Sequence, residues 1–289
     1  MSAAASESGL PADNSDQIAF WNGAGGEKWL RSTERLERGL TPLGQAAIDA
    51  AKPKPGERVL DIGCGAGPTS QKLAQAVGGS GEVLGVDVSQ PLIAAAKQRA
   101  AGMNNLHFTV ADASAAKFDG QYDLLFSRFG VMFFADPPGA FANLRHALKP
   151  GGRLAFVCWR AFKENSWAFV PFMAAVPHLP PIARPEPNAP GPFAFADGER
   201  VKRILGEAGF ADIAVTPFDT KMANSNSLDE AVVFSSEIGP VSRVLADASD
   251  EQRGKAVAAI RAILQKRLDD GSGLSLPAAC WIVTGRNPA

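Results

Sequence analysis

The sequence predicts an α/β protein built on a doubly wound, mainly parallel sheet, and three observations carry that prediction. Arg58-Val59-Leu60-Asp61-Ile62 reads as a short strand, apolar enough to be buried on both faces of a sheet. It runs into a turn holding Gly63, Gly65 and Gly67, and Pro68 then stands where a fixed φ and a missing N–H suit a first helical turn. From there to Trp159, short apolar runs alternate with helical segments, and no hairpin signal separates them. Strand, glycine turn and helix start form the ligand-binding corner of such a fold.

The N-terminal elements come first. Residues 1–15 are small and polar, and their composition predicts disorder. Residues 16–56 are expected to form a helical lid segment, in which Trp21 and Trp29 flank Gly23 to Gly26. The two tryptophans either pack onto the core or close over a ligand on glycine hinges. Thr41-Pro42 reads as the cap of a helix reaching Ala51, and Lys52-Pro53-Lys54-Pro55-Gly56 ends it.

The core is expected over residues 57–160. Thr69 to Val77 is a helix and Glu82 to Asp87 the second strand; Ser89 is placed to cap a helix over Pro91 to Ala101. Leu106 to Val110 is the third strand, with His107 read as a packed core histidine. Gln121 to Arg128 is the fourth, followed by Phe129 to Phe134, a helix over Ala140 to Leu148, and a fifth strand from Arg153 to Trp159.

The rhythm then changes. Eight of the 21 prolines lie between Pro171 and Pro192, so residues 161–200 read as an irregular, proline-rich substrate cap. Core continues over 201–221, with a helix from Gly198 to Ala208 and a sixth strand from Ala211 to Val215. Residues 222–272 read as a second, helical cap. Ser227 with Glu230, and Ser249 with Gln252, are capping-box patterns that open its helices. Val257, Ile260, Leu264 and Leu268 share one face of the last of these, before a final core strand in residues 273–289, over Ala278 to Gly285.

Composition narrows the partners. The chain has 289 residues, 46% hydrophobic and 20% charged, which suits a globular protein with ample interior. A net charge of -1 argues against a nucleic-acid partner, which normally leaves a basic footprint. Cys64, Cys158 and Cys280 are too scattered for a metal cluster and odd in number, as reduced thiols in a cytoplasmic protein would be. The start lacks the pattern of a signal peptide, and no run has the length of a membrane span. No metal and no membrane are expected, and the text is silent on oligomeric state.

The glycine turn itself selects the ligand. A dinucleotide fingerprint, G-x-G-x-x-G, would put its third glycine at position 68, which is Pro68 here. Asp61, just before the glycines, would repel a pyrophosphate and attract a ligand carrying an ammonium and a sulfonium. Asp87 lies 24 residues past Gly63, close to the spacing at which a carboxylate accepts from ribose hydroxyls. Asp112, at the third strand end, can accept from an exocyclic amino group. Ser127, Arg128 and Phe129 lie at the carboxyl end of the fourth strand, where open α/β sheets bind ligands.

Taken together, V-L-D-I-G-C-G-A-G, G-V-D-V-S, A-D-A, Y-D-L-L-F-S-R-F-G-V-M-F-F and L-K-P-G-G-R-L-A-F-V-C-W resemble the ordered signatures of class I S-adenosylmethionine-dependent methyltransferases. The likeness is to the small-molecule branch that includes quinone-biosynthesis and "type 11" enzymes, and it covers about residues 58–160. It implies a Rossmann-like, seven-stranded sheet with its last strand antiparallel. It also implies S-adenosyl-L-methionine as cofactor, and a small-molecule methyl acceptor. In this resemblance Asp61, Gly63 and Gly65 hold the methionine end, Asp87 the ribose, and Val88 packs on the adenine face. Asp112 and Ala113 meet the adenine edge, Ser127 touches the methionine part, and Arg128 lies beside the substrate. Trp21, Trp29, Phe134 and His178 are further substrate-side candidates, with Glu164 as an additional acid.

The reaction so implied is an in-line methyl displacement needing little acid–base help, and no catalytic base is assigned. The aromatic walls suggest an apolar or aromatic acceptor. Two other readings stand beside it: a protein that binds the cofactor without chemistry, and, less favoured, an NAD-dependent oxidoreductase.

Overall fold

The structure, a computed structural model, describes residues 13–119, 121–182, 186, 188–223, 225–271 and 273–289. The tail expected to be disordered lies, for residues 1–12, outside the described residues. The described chain starts differently from that expectation. Helix α1 (Ser15–Asn22) begins within it, and Asn14 is buried, donating to Asp112 at 3.0 Å and accepting from the Ala135 N–H at 2.8 Å.

Two more helices, α2 (Ala24–Arg31) and α3 (Thr33–Ala51), precede the sheet. Only Gly23 interrupts α1 and α2; Gly25 and Gly26 are helical. A Cβ on Gly26 would overlap the Trp21 carbonyl oxygen, so this glycine serves close packing and not a hinge. Thr41-Pro42 does not cap a helix either, because α3 runs straight through Pro42. Leu36, Leu40, Leu43, Ala47 and Ile48 form one continuous buried stripe across it. Pro42 faces solvent, where water can satisfy the carbonyl that lacks its N–H partner.

Strands β1 (Arg58–Ile62), β2 (Glu82–Asp87), β3 (Leu106–Val110), β4 (Tyr122–Arg128), β5 (Leu148–Trp159), β6 (Ala211–Met222) and β7 (Leu276–Arg286) form one sheet, ordered β3-β2-β1-β4-β5-β7-β6. The first five pair parallel, and β7 lies between β5 and β6, antiparallel to both. The strand order reverses between β1 and β4, so their carboxyl ends splay apart into a crevice. Val59, Leu60, Leu124, Leu125 and Phe126 at this centre are all 0% exposed, as their apolar runs predict. At the sheet edge His107 points to solvent, 3.7 Å from Glu82, and is not a core residue.

Helices α4 (Pro68–Val77), α5 (Gln90–Arg99) and α6 (Pro137–Arg145) are the crossovers. Ser89 caps α5, accepting from the Leu92 N–H at 3.4 Å. The proline-rich stretch is more regular than its composition suggests. It holds α7 (Ser166–Ala175), with Pro171 inside, before α8 (Gly198–Glu207) returns to the sheet. Helices α9 (Leu228–Glu237), α10 (Pro240–Ala246) and α11 (Asp250–Asp269) fill the second insertion.

The capping box at Ser249 and Gln252 is reciprocal. At Ser227 only half of it forms: the hydroxyl accepts from the Glu230 N–H, while the Glu230 carboxylate turns to the Asn226 N–H and Arg38. Ile260 and Leu264 are buried on α11, but Leu268 is 40% exposed, because the helix runs past its partners there. Helix α7 packs against α9, α10 and α11, so the two insertions meet in one helical cap.

Candidate active site

A cavity of about 800 Å³ opens at the carboxyl ends of β1, β2 and β4, roofed by α1, α2 and the cap. The glycine turn forms its floor. Gly63 has φ +65°, and a Cβ there would stand 2.7 Å from the Gly130 Cα, so β1 and the segment after β4 touch backbone to backbone. Gly65 has φ +56° and lies under Trp29, whose Nε1 would be 3.9 Å from a Cβ. Trp29 in turn meets Trp21 edge-on at 5.7 Å, and Trp21 meets Phe133 at 5.4 Å. The N-terminal tryptophans therefore lie across the turn.

Asp87 accepts from the Gly65 N–H and the Ser89 N–H, both at 2.9 Å, which fixes its carboxylate at the end of β2. Burial pushes its pKa up, and these N–H groups pull it back. Asp112, at the end of β3, has Oδ1 occupied by Asn14 and by Ser114. Trp21, Trp29, Gly63, Gly65 and Asp87 all line the cavity, as do Val88, Asp112, Ala113, Arg128 and Phe134.

Three candidates do not. Asp61 lies one layer behind the wall, fully buried, with Oδ2 accepting from the Ser70 hydroxyl at 2.6 Å. Burial drives its pKa up to about 7, against the opposing pull of Ser70 and Arg128. Its Oδ1 is buried with no partner among the described residues. Ser127, also 0% exposed, donates to the Ile62 carbonyl at 2.8 Å and accepts from the Gly130 N–H at 3.2 Å. It clamps β4 to β1 and leaves no lone hydroxyl for a ligand. His178 ends a short 3-10 turn after α7, packed toward α11 and away from the cavity. Glu164 is likewise elsewhere, paired with Arg160.

Arg128 reaches the cavity already engaged. Its guanidinium makes a two-pronged pair with Glu37 of α3, at 2.9 and 2.6 Å, and its side chain is only 9% exposed. No short-range pattern announces Glu37, which meets Arg128 across 91 residues of chain. Gln17 was also missed: it lines the cavity, and its Oε1 is buried without a partner among the described residues. The Asn14-Ser15-Asp16 text just before it, a helix-start signal, could have marked the segment. Cys64 lines the cavity too, its thiol pushed far up by burial.

Comparison with known proteins decides the family. A profile described as a methyltransferase domain matches residues 59–152. The aklanonic acid methyltransferase of a Streptomyces species is 36% identical over 157 residues, 51% of this chain and 71% of that protein. The chain belongs to the S-adenosylmethionine-dependent methyltransferases.

A second relative of this methyltransferase is the demethylmenaquinone methyltransferase of Staphylococcus saprophyticus, 29% identical over 57% of the chain and 75% of that protein. Among solved structures, Haemonchus contortus phosphoethanolamine N-methyltransferase 2 in complex with S-adenosyl-L-methionine superposes with a TM-score of 0.52 at 21% identity. It matches 86% of this chain and 53% of that one, and it shares the fold. The cofactor of this methyltransferase is S-adenosyl-L-methionine, and its reaction is methyl transfer; the oxidoreductase reading falls.

The site fits that cofactor on its own terms. The backbone at Gly63 and Gly65 leaves room for close approach, and an orphaned, buried carboxylate oxygen of Asp61 lies beneath it. Asp87 keeps lone pairs beyond its two N–H bonds. Among the described residues, no group of three His, Cys, Asp or Glu could hold a metal, and no helix is long and apolar enough to cross a membrane.

Proposed function

We propose that the cavity is divided between cofactor and acceptor, and that the acceptor is a small, apolar and aromatic molecule. The observation that carries this reading is the aromatic wall that runs out from the end of β4. Phe129 has φ +60° and stacks on Trp159 at 4.2 Å with 14° between the rings. A left-handed backbone at a bulky residue costs about 1–2 kcal/mol, and such strain collects where a side chain must be aimed. Trp167 continues from Trp159 at 4.9 Å, and Phe162 meets Phe172 and Phe193 edge-on at 5.3 and 5.2 Å. Flat rings held against one another favour a flat guest.

In this reading Gly63 and Gly65 cradle the methionine end, with Asp61 below as counter-charge for its ammonium. Asp87 receives the ribose hydroxyls, Val88 packs on the adenine, and Asp112 with Ala113 meets the adenine edge. Ser127 positions the turn without touching the cofactor. Arg128, neutralised by Glu37, holds α3 against β4 at the boundary of the two halves. Helices α1 and α2, with Trp21 and Trp29, act as the lid over residues 16–56, and the insertions at 161–200 and 222–272 act as substrate caps on a core of 57–160, 201–221 and 273–289.

When bound, S-adenosyl-L-methionine supplies a methyl group on a sulfonium. The residues then have to align acceptor and methyl in a dry chamber, and alignment alone is worth about 7–11 kcal/mol. Among the described residues no histidine or tyrosine lines the cavity, which supports a reaction driven mainly by orientation. The net charge of -1 supports a small molecule over nucleic acid as acceptor, and three free, buried cysteines support a cytoplasmic setting.

The test is label transfer from methyl-labelled S-adenosyl-L-methionine into a panel of planar aromatic and of polar aliphatic acceptors. Label in the aromatic set supports the reading. Turnover of polar acceptors alone rejects it.

A further inference from the structure

Asn165 stands at the N-cap position of α7, where an asparagine ordinarily accepts from a backbone N–H of the first helical turn. Here its side chain caps nothing. It is 0% exposed, and its amide is spent elsewhere. Oδ1 accepts from the Ala279 N–H at 3.0 Å and from the Trp167 indole N–H at 3.2 Å. Nδ2 donates to the carbonyls of Ala279, Ala161 and Arg160 at 3.1, 3.2 and 3.3 Å. One end of the amide meets only donors and the other only acceptors, a demand that neither leucine nor aspartate of similar size satisfies. Ala279 belongs to β7, next to the rung that joins Cys280 to Trp159 of β5, so Asn165 ties the start of α7 to the sheet.

Trp167 is thereby keyed to the sheet as well. Its ring packs on Trp159 at 4.9 Å and lines the cavity, whereas Asn165 lies behind that wall. The edge of the indole remote from its N–H lies against Gly239, at the corner between α9 and α10, where a Cβ would stand 3.3 Å from Cζ3. One end of the ring is thus held by the sheet through Asn165, and the other rests on the second insertion. Because its one donor is used inside the protein, Trp167 shows the cavity only apolar surface. A ring already fixed also leaves less side-chain freedom for a guest to remove.

We propose that Asn165 is a positioning residue for the acceptor: it holds the Trp167 indole in one orientation, and acts through that ring without touching the acceptor. The inference rests on the division of the cavity proposed above. It adds that a residue outside the cavity sets the shape of the acceptor half.

The test uses the full-length protein loaded with S-adenosylhomocysteine and a neutral, flat probe, N-phenyl-1-naphthylamine, whose affinity is read by fluorescence. Phe172→Ala locates the probe, since weaker binding in that variant places it in the chamber. Asn165→Ala is expected to weaken the probe about fivefold and to leave the affinity for S-adenosylhomocysteine in calorimetry unchanged. Adding Asn165→Ala to Trp167→Phe should cost the probe nothing further, because the bond it removes is already gone. A nuclear magnetic resonance experiment on the unsubstituted protein needs no change at Asn165. The Trp167 indole N–H, assigned by its absence in Trp167→Phe, should give one sharp, slowly exchanging signal both before and after the probe is added.

Unchanged probe affinity in Asn165→Ala, an equal loss of probe and S-adenosylhomocysteine, or additive losses in the double variant would each overturn the proposal. So would an indole signal that sharpens only when the probe binds, because the guest and not Asn165 would then be ordering the ring. In all four cases the aromatic chamber still stands. If the probe fails to bind, or binds equally well to Phe172→Ala, the chamber reading itself fails, and the role of Asn165 with it.

Discussion

In the division proposed for the cavity, the two halves are built in opposite ways. The cofactor half is backbone and carboxylate: the Gly63–Gly65 turn, Asp87 held by two N–H groups, and Asp112 held by Asn14 and Ser114. Its parts come from consecutive strand ends of one sheet, so their spacing is set by strand register and short turns. The acceptor half is side chain on side chain. Phe129 comes from the sheet, Trp159 from the end of β5, and Trp167, Phe162 and Phe172 from an insertion braced by a second insertion. One half can be kept while the other is rebuilt, which is how a fold hosts many substrates around one chemistry.

Substitutions can break that comparison, and the largest effect is expected at the turn. Gly63→Ala adds a Cβ 2.7 Å from Gly130 to a residue at φ +65°, so overpacking of about 1–3 kcal/mol joins backbone strain of about 1–2 kcal/mol. Gly65→Ala carries the strain alone, since its nearest neighbour is 3.9 Å away. Thermal melts should show Gly63→Ala as much the less stable of the two. Equal melting temperatures would mean that the Gly63–Gly130 contact is not tight.

Next is Asp87→Ala. Loss of charged hydrogen bonds worth about 1.5–3 kcal/mol should weaken S-adenosylhomocysteine binding by about a hundredfold in calorimetry. Unchanged affinity would move the ribose elsewhere.

Phe172→Ala belongs to the other half. It should raise the acceptor KM by about tenfold, with cofactor affinity unchanged. A matching loss of cofactor affinity would erase the division between the halves.

Asp61 gives a smaller, pH-dependent signature. Its carboxyl titrates near pH 7 in the fold and near 3.8 in the unfolded chain, so between those values the fold holds a proton that the unfolded chain has released. Stability without ligand therefore falls as pH rises through that window. Binding an ammonium requires the ionised form. Calorimetry of S-adenosylhomocysteine at about pH 6, in buffers of different ionisation enthalpy, should report release of up to roughly one proton, fading by about pH 8. Asp61→Asn should abolish it; release persisting in that variant would assign the proton to another group.

The smallest effect is at His178, which lies outside the cavity. His178→Ala should leave kcat and KM within about twofold. A large loss of kcat would return it to the site.

Much of the core was legible because its signals are local. The glycine turn, the acids at the ends of the second and third strands and the Ser89 cap each depend on a few neighbouring residues; the turn, Asp87 and Asp112 line the cavity, and Ser89 caps α5. What escaped was decided at a distance. Pro42 could sit inside α3 only because the buried stripe around it outweighs one lost hydrogen bond. His178 looked available because the text cannot show that α11 lies over its turn. Glu37, the partner of Arg128, leaves no trace in sequence, and the same is true of Phe129 turning to meet Trp159. Ser127 was correctly sited at a strand end, but the text could not show that both its hydrogen bonds are spent inside the sheet.

The most direct test of the division is a crystal structure of the methyltransferase with S-adenosylhomocysteine. The account predicts ribose hydroxyls on Asp87, the amino group toward Asp61, and the sulfur facing the chamber of Phe129 and Trp159. An adenine lodged among the cap aromatics, or a sulfur turned away from them, would contradict it.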